Sequence, residues 1–275
     1  MITFVRTRHF YQSYTDFWKL VELSNFPTIY VDELRPQEEG IFIVAPMNGE
    51  WRPHLDNHKG RRNAHLILWN LERPSGSAGA IRNYARDNWE LLHNRYLDEI
   101  WVSDAQLADE TLLRYVKLGS HPDLGRPGNW QDKIYDLIHL SYEIPRRVQI
   151  YKNFVGRIAP NAWPPDRDQY LRKSRFALNV HQDNHPFQEP LRFALFAAYG
   201  LPIISESLIR SYPWDAQTIK TFNYADLVAN VQKILEEPYN EYAQMGMRGR
   251  KLLCHEYPFR ANVELAVEQS VGDWR

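Results

Sequence analysis

Three arginines occupy positions from which they could bind an anion. Arg146 and Arg147 follow Pro145, between the end of one predicted strand and the start of a predicted helix, and Arg192 lies one turn inside another helix. The first turn of a helix exposes backbone N–H groups and the positive end of its dipole, so a phosphate could be bound there. The alternatives are a solvated basic pair for Arg146 and Arg147 and a structural ion pair for Arg192.

Carboxylate and imidazole groups lie close to Arg192 in the sequence. Glu189 occupies the N-cap position before Pro190, and because a carboxylate has more lone pairs than one capping bond uses, it could also bind a ligand. His181 begins a loop, HQDNHPFQE, that is too polar for a core, so we expect its imidazole to contact a ligand. Glu206 ends the following strand and is a further candidate.

Titratable side chains also concentrate near the N-terminus. Imidazole suits a general base because its unperturbed pKa is near neutral, and His9 follows the first predicted strand; a surface histidine is the alternative. The segment EWRPHLDNHKGRR, residues 50–62, alternates His54, Asp56 and His58, a pattern that invites a metal interpretation. The pattern has no defined helical or strand context, so we predict no metal site there.

A predicted strand, helix and strand between residues 175 and 206 position most of these groups. Residues 176–180 are predicted as a strand, 189–199 as a helix and 202–205 as a second strand. The helix is apolar nearly all round and should be buried, and Gly200 provides a left-handed C-terminal stop. Such a parallel βαβ unit places its loop at the carboxyl edge of the sheet, where these folds bind ligands.

The whole chain predicts an α/β protein with two domains. Strands alternate with helices along its 275 residues, which implies mostly parallel sheets covered on both faces. The segment GSHPDLGRPGNW, residues 119–130, concentrates Gly and Pro and is the best domain boundary. We therefore predict two Rossmann-like, doubly wound domains, residues 1–122 and 131–275, with the last helix able to pack back on the first.

Composition argues against several other classes. The 33 Lys+Arg and 34 Asp+Glu nearly balance, so there is no global basic field for nucleic acid or an anionic membrane, although a local basic patch is compatible with this balance. The single Cys254 allows no intramolecular disulfide and no cysteine-based zinc cluster. We find no signal peptide and no run of ~18 apolar residues, so we expect a soluble, cytoplasmic protein.

Three motifs follow one another in the second half of the chain. They are LNVH (178–181), EPLR (189–192) and AAYGLP (197–202), preceded by PRR (145–147) and RD (167–168). Together they resemble the donor-binding domain of GT-B glycosyltransferases, in the glycosyl transferases group 1 (family-four-like) branch, which carries LN-H, E-x-x-R and A-A-x-G-x-P. The resemblance covers residues 135–200 best and extends to the first half only in architecture.

This resemblance implies two Rossmann-like domains facing across a cleft and transfer of a sugar, expected to be a hexose, from a nucleotide-diphosphate donor to a hydroxyl acceptor. It implies a UDP-sugar as co-substrate, no tightly bound cofactor and no required metal, since cationic side chains stabilise the leaving diphosphate. The acceptor is expected to be a saccharide, a small molecule or a modified DNA base, and the choice between retention and inversion stays open.

The positions above and the resemblance together give three groups of candidate residues. The catalytic candidates are His9, Glu72 and His181. The donor-binding candidates are Arg146, Arg147, Glu189, Leu191, Arg192 and Glu206. The acceptor-side candidates are Glu50, His54, Arg61 and Arg62.

Two alternative functions follow from other features. Leu195 stands where many relatives carry an acid that resembles a ribose-binding glutamate, which favours a non-catalytic nucleotide-sugar binder. Lys59, Arg61 and Arg62 beside Trp51 could follow a phosphate backbone and stack on bases. That combination fits a phage-type DNA glycosyltransferase that acts on hydroxymethylated bases.

Overall fold

A computed structural model describes residues 1–8, 14–35, 38–45, 53, 64–71, 78–184, 189–208 and 210–272. The chain divides into two compact units. The first consists of Met1–Leu118 with Arg260–Arg275, so that it includes most of the last helix, and the second is Gly119–Phe259. Within the described ranges, no helix is both long enough and apolar enough to cross a bilayer.

The first unit is built on a six-stranded sheet in which every neighbouring pair is parallel, in the order β2-β1-β3-β4-β5-β6. Its strands are β1 (Ile2–Arg6), β2 (Thr28–Tyr30), β3 (Gly40–Val44), β4 (Ala64–Asn70), β5 (Glu99–Val102) and β6 (Arg114–Tyr115). The helices between them are α1 (Thr15–Leu23), α2 (Ala78–His93) and α3 (Ala105–Thr111). The core contains Trp69 and Trp101 edge to face, with ring centroids 5.6 Å apart.

The second unit has a four-stranded parallel sheet in the order β10-β9-β8-β7. Its strands are β7 (Tyr135–Ile138), β8 (Ser174–Asn179), β9 (Ile203–Glu206) and β10 (Ile219–Phe222). The helices of the second half of the chain are α4 (Pro145–Lys152), α5 (Arg167–Lys173), α6 (Pro190–Ala198), α7 (Leu227–Glu236), α8 (Tyr239–Lys251) and α9 (Phe259–Gly272). Strands alternating with helices confirm the predicted parallel α/β class.

The βαβ unit β8-α6-β9 has the predicted form. Glu189 is the N-cap residue of α6, Pro190 is its first residue, and Gly200 adopts the predicted left-handed conformation with φ of +63°. Residues 193–198 are all buried, as the apolar sequence predicts. Strands β8 and β9 pair in register at Asn179 and Ser205, so their carboxyl ends meet at one edge of the sheet.

Two segments differ from the sequence-based assignment. Strand β10 was not predicted, because the short sequence IKTF alternates only weakly and becomes a strand by pairing with β9. The sequence of residues 156–159, GRIA, predicts a short strand, but these residues contribute only an isolated bridge between Ile158 and Leu137. The backbone N–H of Arg157 is bound by the side chain of Asp136, at 2.9 Å, instead of extending the ladder.

Helix α8 holds the far end of α6 in place. A Cβ atom on Gly246 would lie 2.2 Å from the carbonyl oxygen of Gly200 and 2.7 Å from the nitrogen of Pro202, so the helix backbone and the turn touch directly. One turn later, Arg250 donates to the carbonyl oxygen of Ala198, the last residue of α6. These contacts fix where α6 ends and β9 begins.

We expect Gly246→Ala to lower the free energy of unfolding by about 1–3 kcal/mol, because the added methyl group overlaps backbone atoms that cannot rotate away. Urea unfolding followed by circular dichroism measures this change. Gly272→Ala is the matched control, since a Cβ atom there would meet nothing within 4 Å. Equal midpoints for wild type and Gly246→Ala would contradict the proposed close contact.

Candidate functional site

At the carboxyl edge of the second sheet, the carboxylate of Glu189 lies between two guanidinium groups. One carboxylate oxygen, Oε1, accepts a hydrogen bond from Nη2 of Arg147 at 3.1 Å, and the other, Oε2, pairs with Nη2 of Arg192. The side chain makes no capping bond to α6, although Glu189 occupies the N-cap position. Its backbone therefore begins the helix while its carboxylate forms ion pairs with two arginines.

Arg147 connects three segments of the second unit from the first turn of α4. Its Nε donates to the carbonyl oxygen of Val180 at 2.8 Å, and its Nη1 donates to that of Tyr142 at 3.3 Å. The side chain is only 2% exposed, and burial followed by the charge of Arg192 lowers its pKa from the usual value. Such a buried guanidinium requires a counter-ion, which Glu189 supplies.

Arg146 forms a second ion pair, with Glu206 at the end of β9. Its two terminal nitrogens bind the two carboxylate oxygens of Glu206, at 2.7 and 2.5 Å, and Nη1 also donates to the carbonyl oxygen of His181 at 3.0 Å. The guanidinium carbon lies 3.9 Å from the ring centroid of Tyr224. This bidentate pair joins the start of α4 to the ends of β8 and β9.

His181 is fully buried, contrary to the expectation that its polar loop keeps it outside the core. Its backbone N–H donates to Glu206 at 3.1 Å, and its Nε2 lies 3.0 Å from the carbonyl oxygen of Ser207. Because a carbonyl only accepts, Nε2 must carry a proton. Burial lowers the pKa of His181, so the ring is neutral near pH 7.

A chain of hydrogen bonds extends from Arg192 across the strand ends. Nη1 of Arg192 donates to Oδ1 of Asn179 at 2.7 Å, and Nδ2 of Asn179 donates to Oγ of Ser205 at 3.0 Å. The hydroxyl of Ser205 donates to the backbone carbonyl of Glu206 at 2.7 Å. The two ion pairs are therefore connected through the last residues of two neighbouring strands.

Next to these arginines lies a cluster of three side chains, His139 and Ser141 from the segment after β7 and Tyr151 from α4. The ring of His139 stacks on Tyr151 with centroids 3.9 Å apart, and Ser141 Oγ lies 3.3 Å from His139 Nδ1 and 2.8 Å from the hydroxyl of Tyr151. Burial, with the charges of Arg192 and Arg147, lowers the pKa of His139 to about 4. His139 is therefore neutral where the arginines are charged.

The structure brings six of the candidate residues to this edge. They are Arg146, Arg147, His181, Glu189, Arg192 and Glu206. Leu191 lies half-buried on α6 beside them, and Leu195 is buried in the core. The other candidates lie outside the described residues: His9, Glu50, His54, Arg61, Arg62 and Glu72. The segment from Trp51 to Arg62, on which the DNA-acceptor alternative rests, is also outside them apart from Pro53.

Several polar residues of this edge are not among the sequence-based candidates. They are His139, Ser141, Tyr151, Ser205 and Tyr224. One available signal was the position of Ser205, which follows two isoleucines in β9. Tyr224 bonds to Arg146 across 78 residues, and His139, Ser141 and Tyr151 meet only because the segment after β7 packs against α4.

We expect His139 to make the stability of the fold depend on pH. Its folded pKa of about 4 lies below the ordinary value of 6.5, so as pH falls the unfolded chain takes up a proton first. The stability that depends on neutral His139 is full above about pH 6.5 and is lost progressively down to about pH 4. Between pH 7 and pH 5 the loss should be about 2 kcal/mol.

Urea unfolding of wild type and His139→Phe at both pH values measures this contribution, because phenylalanine keeps a ring against Tyr151 but cannot titrate. The nine other histidines are the same in both proteins, so the difference between the two pH dependences isolates His139. Identical pH dependences would show that His139 is not buried in neutral form.

Comparison with known proteins identifies similar folds but no similar sequence. No protein-family model matches the chain, and no curated protein matches its sequence. The structure of HepE from Anabaena, determined in complex with UDP and glucose, superposes with a TM-score of 0.66 and 9% identity over 99% of this chain and 100% of that one. AviGT4, a glycosyltransferase involved in avilamycin A biosynthesis, superposes with a TM-score of 0.60 and 8% identity over 98% and 97%.

The structure of TarM is also similar, with a TM-score of 0.61 and 9% identity over 84% of this chain, but the match spans only 54% of TarM. At these identities the likeness establishes fold and nothing finer. The sequence-based resemblance is confirmed at that level: the chain shares the parallel α/β fold of these solved structures, one of which, AviGT4, is a glycosyltransferase.

Proposed function

We propose that this protein is a glycosyltransferase that moves a sugar from a nucleotide-diphosphate donor, a UDP-sugar, to a hydroxyl acceptor. The observation that carries the proposal is the Arg147–Glu189–Arg192 arrangement at the carboxyl edge of the second sheet. Parallel α/β sheets bind ligands at this edge. The fold it shares with HepE, whose structure contains UDP and glucose, supports the same donor class.

The donor requires positive charge where its diphosphate leaves, and two arginines can supply it. Arg192 and Arg146 are 13% and 18% exposed, whereas Arg147 is 2% exposed and bound to the protein on several sides. We therefore assign the diphosphate to Arg192 and Arg146, assisted by the N-terminal N–H groups of α4. Arg147 is then a positioning residue that holds Glu189.

Glu189 is assigned to the sugar hydroxyl groups of the donor. Its carboxylate has acceptor sites beyond the two that the arginines use, and it faces the same edge as Arg192. His181 is assigned a positioning role instead of the catalytic role first considered, because its Nε2 proton is committed to Ser207 and its ring is buried. It holds the backbone that Arg146 and Glu206 both contact.

In the proposed reaction, the bond between the anomeric carbon and the diphosphate oxygen breaks while the acceptor oxygen bonds to that carbon. The acceptor proton passes to a base, and the electron pair leaves with the diphosphate. His9 and Glu72 of the first half remain the proposed bases. The proposed acceptor-side residues are Glu50, His54, Arg61 and Arg62. Guanidinium groups provide the charge that a metal ion supplies in other transferases.

Arg192→Ala should abolish binding of the donor. A nucleotide sugar at 100 times its dissociation constant stabilises a protein by about 2.7 kcal/mol, which a thermal-shift screen of UDP- and GDP-sugars detects for the wild type. The variant should show no shift, because the diphosphate loses one of its two guanidinium partners. Its fold should persist, since Glu189 stays paired with Arg147.

Arg172→Ala is the matched control for Arg192→Ala. Arg172 lies near the end of α5, directly before β8, and therefore at the opposite edge of the sheet. This variant should keep the full thermal shift. A shift that survives in folded Arg192→Ala would show that the diphosphate is bound elsewhere.

Release of UDP from a bound UDP-sugar distinguishes an enzyme from a binder. We expect slow donor hydrolysis without acceptor, measured by chromatography of the nucleotide products, and its loss in Arg192→Ala. Undetectable turnover of every sugar nucleotide that the wild type binds would contradict the catalytic proposal and leave the non-catalytic binder.

A further inference from the structure

Two large aromatic side chains stand exposed beside the candidate site. Tyr142 is 65% exposed and Trp163 is 41% exposed, and their ring centroids are 6.0 Å apart with the planes inclined at 50°. Tyr142 follows β7, and Trp163 follows Ile158, which forms a parallel bridge to Leu137 of β7. Both residues therefore lie beyond the carboxyl end of β7. Rings with this degree of exposure leave part of their π-surface in water, where it can stack on a planar ligand.

The backbone beneath these rings is held rigidly by hydrogen bonds. The carbonyl oxygen of Ser141 accepts from Asn161 at 2.9 Å, and that of Tyr142 accepts from Arg147 at 3.3 Å. The carbonyl oxygen of Trp163 accepts from the backbone N–H of Arg167 at 3.2 Å. Rings on a preorganised backbone lose little further entropy on binding, a property of recognition surfaces.

The same guanidinium that holds Tyr142 also holds Glu189. Arg147 donates to the backbone of Tyr142 through Nη1 and to the carboxylate of Glu189 through Nη2. The aromatic pair is therefore separated from the proposed sugar and diphosphate contacts by one side chain. A ligand anchored at Arg192 would need a flat group at its other end to use these rings.

We infer that Tyr142 and Trp163 form the surface on which the base of the donor nucleotide stacks. This inference rests on the proposed function, which places a nucleoside diphosphate at Arg192 and Arg146. It is also compatible with Leu195, because a buried leucine at that position offers no acid to the ribose. Recognition of the nucleoside would then depend on stacking of the base. Stacking does not require a contact to the ribose, but the binding affinity falls when an aromatic ring is removed.

The test compares UDP with inorganic pyrophosphate, which has no base, by isothermal titration calorimetry. Tyr142→Ala and Trp163→Ala should each weaken UDP binding about tenfold, within the range that one base–aromatic stack contributes. Both should leave pyrophosphate binding unchanged. Tyr142→Phe and Trp163→Phe keep a ring and should retain the affinity for UDP.

Trp130→Ala is the matched control, because Trp130 is an exposed tryptophan of the same unit that precedes β7 and so lies at the amino edge of the sheet. It should bind UDP like the wild type. Unchanged UDP affinity in both alanine variants, or equal losses for UDP and pyrophosphate, would overturn the inference while the wild-type donor binding still supported the proposed function. A wild type that binds no nucleotide or nucleotide sugar would overturn both.

Discussion

The arrangement of the second unit depends on the neutralisation of a buried guanidinium. Arg147 is almost completely enclosed, and water cannot solvate its charge there, so the fold must supply a carboxylate. Glu189 meets this requirement from 42 residues away in the sequence, which ties the start of α6 to the start of α4. In other proteins, removing one partner of such a buried pair costs about 3–5 kcal/mol, enough to eliminate much of the stability of a domain.

The same constraint explains why so many polar groups meet at one edge. Once Glu189 is shared, Arg192 is fixed against Asn179, and Asn179 against Ser205, because each buried donor or acceptor needs its own partner. Arg146 and Glu206 form a second arginine–carboxylate ion pair at the end of the neighbouring strand β9, and Tyr224 packs on the guanidinium. The resulting network is preorganised before a ligand arrives, which is the condition under which charged groups stabilise a leaving anion most effectively.

The proposed division of labour follows from differences in exposure. Arg192 and Arg146 keep surface that a diphosphate could contact, whereas Arg147 and His181 are enclosed and serve the backbone. Tyr142 and Trp163 stand outside the polar network, and Arg147 of that network binds the backbone of Tyr142. A donor bound in this way would have its charge at the arginines, its sugar at Glu189 and its base on the aromatic pair, so each part of the ligand meets side chains of matching chemistry.

The sequence by itself determined the parallel α/β class, the position and caps of α6, and the concentration of candidate residues around residues 145–147 and 178–206. Those features are local: they depend on periodicity, on proline at a helix start and on glycine at a helix end. Only the tertiary structure decided that Glu189 binds two arginines instead of capping its helix, that His181 is buried, and that Arg146 pairs with Glu206. Those partners are 25 to 60 residues apart in most cases, and a sequence pattern carries no information on which distant groups must neutralise each other.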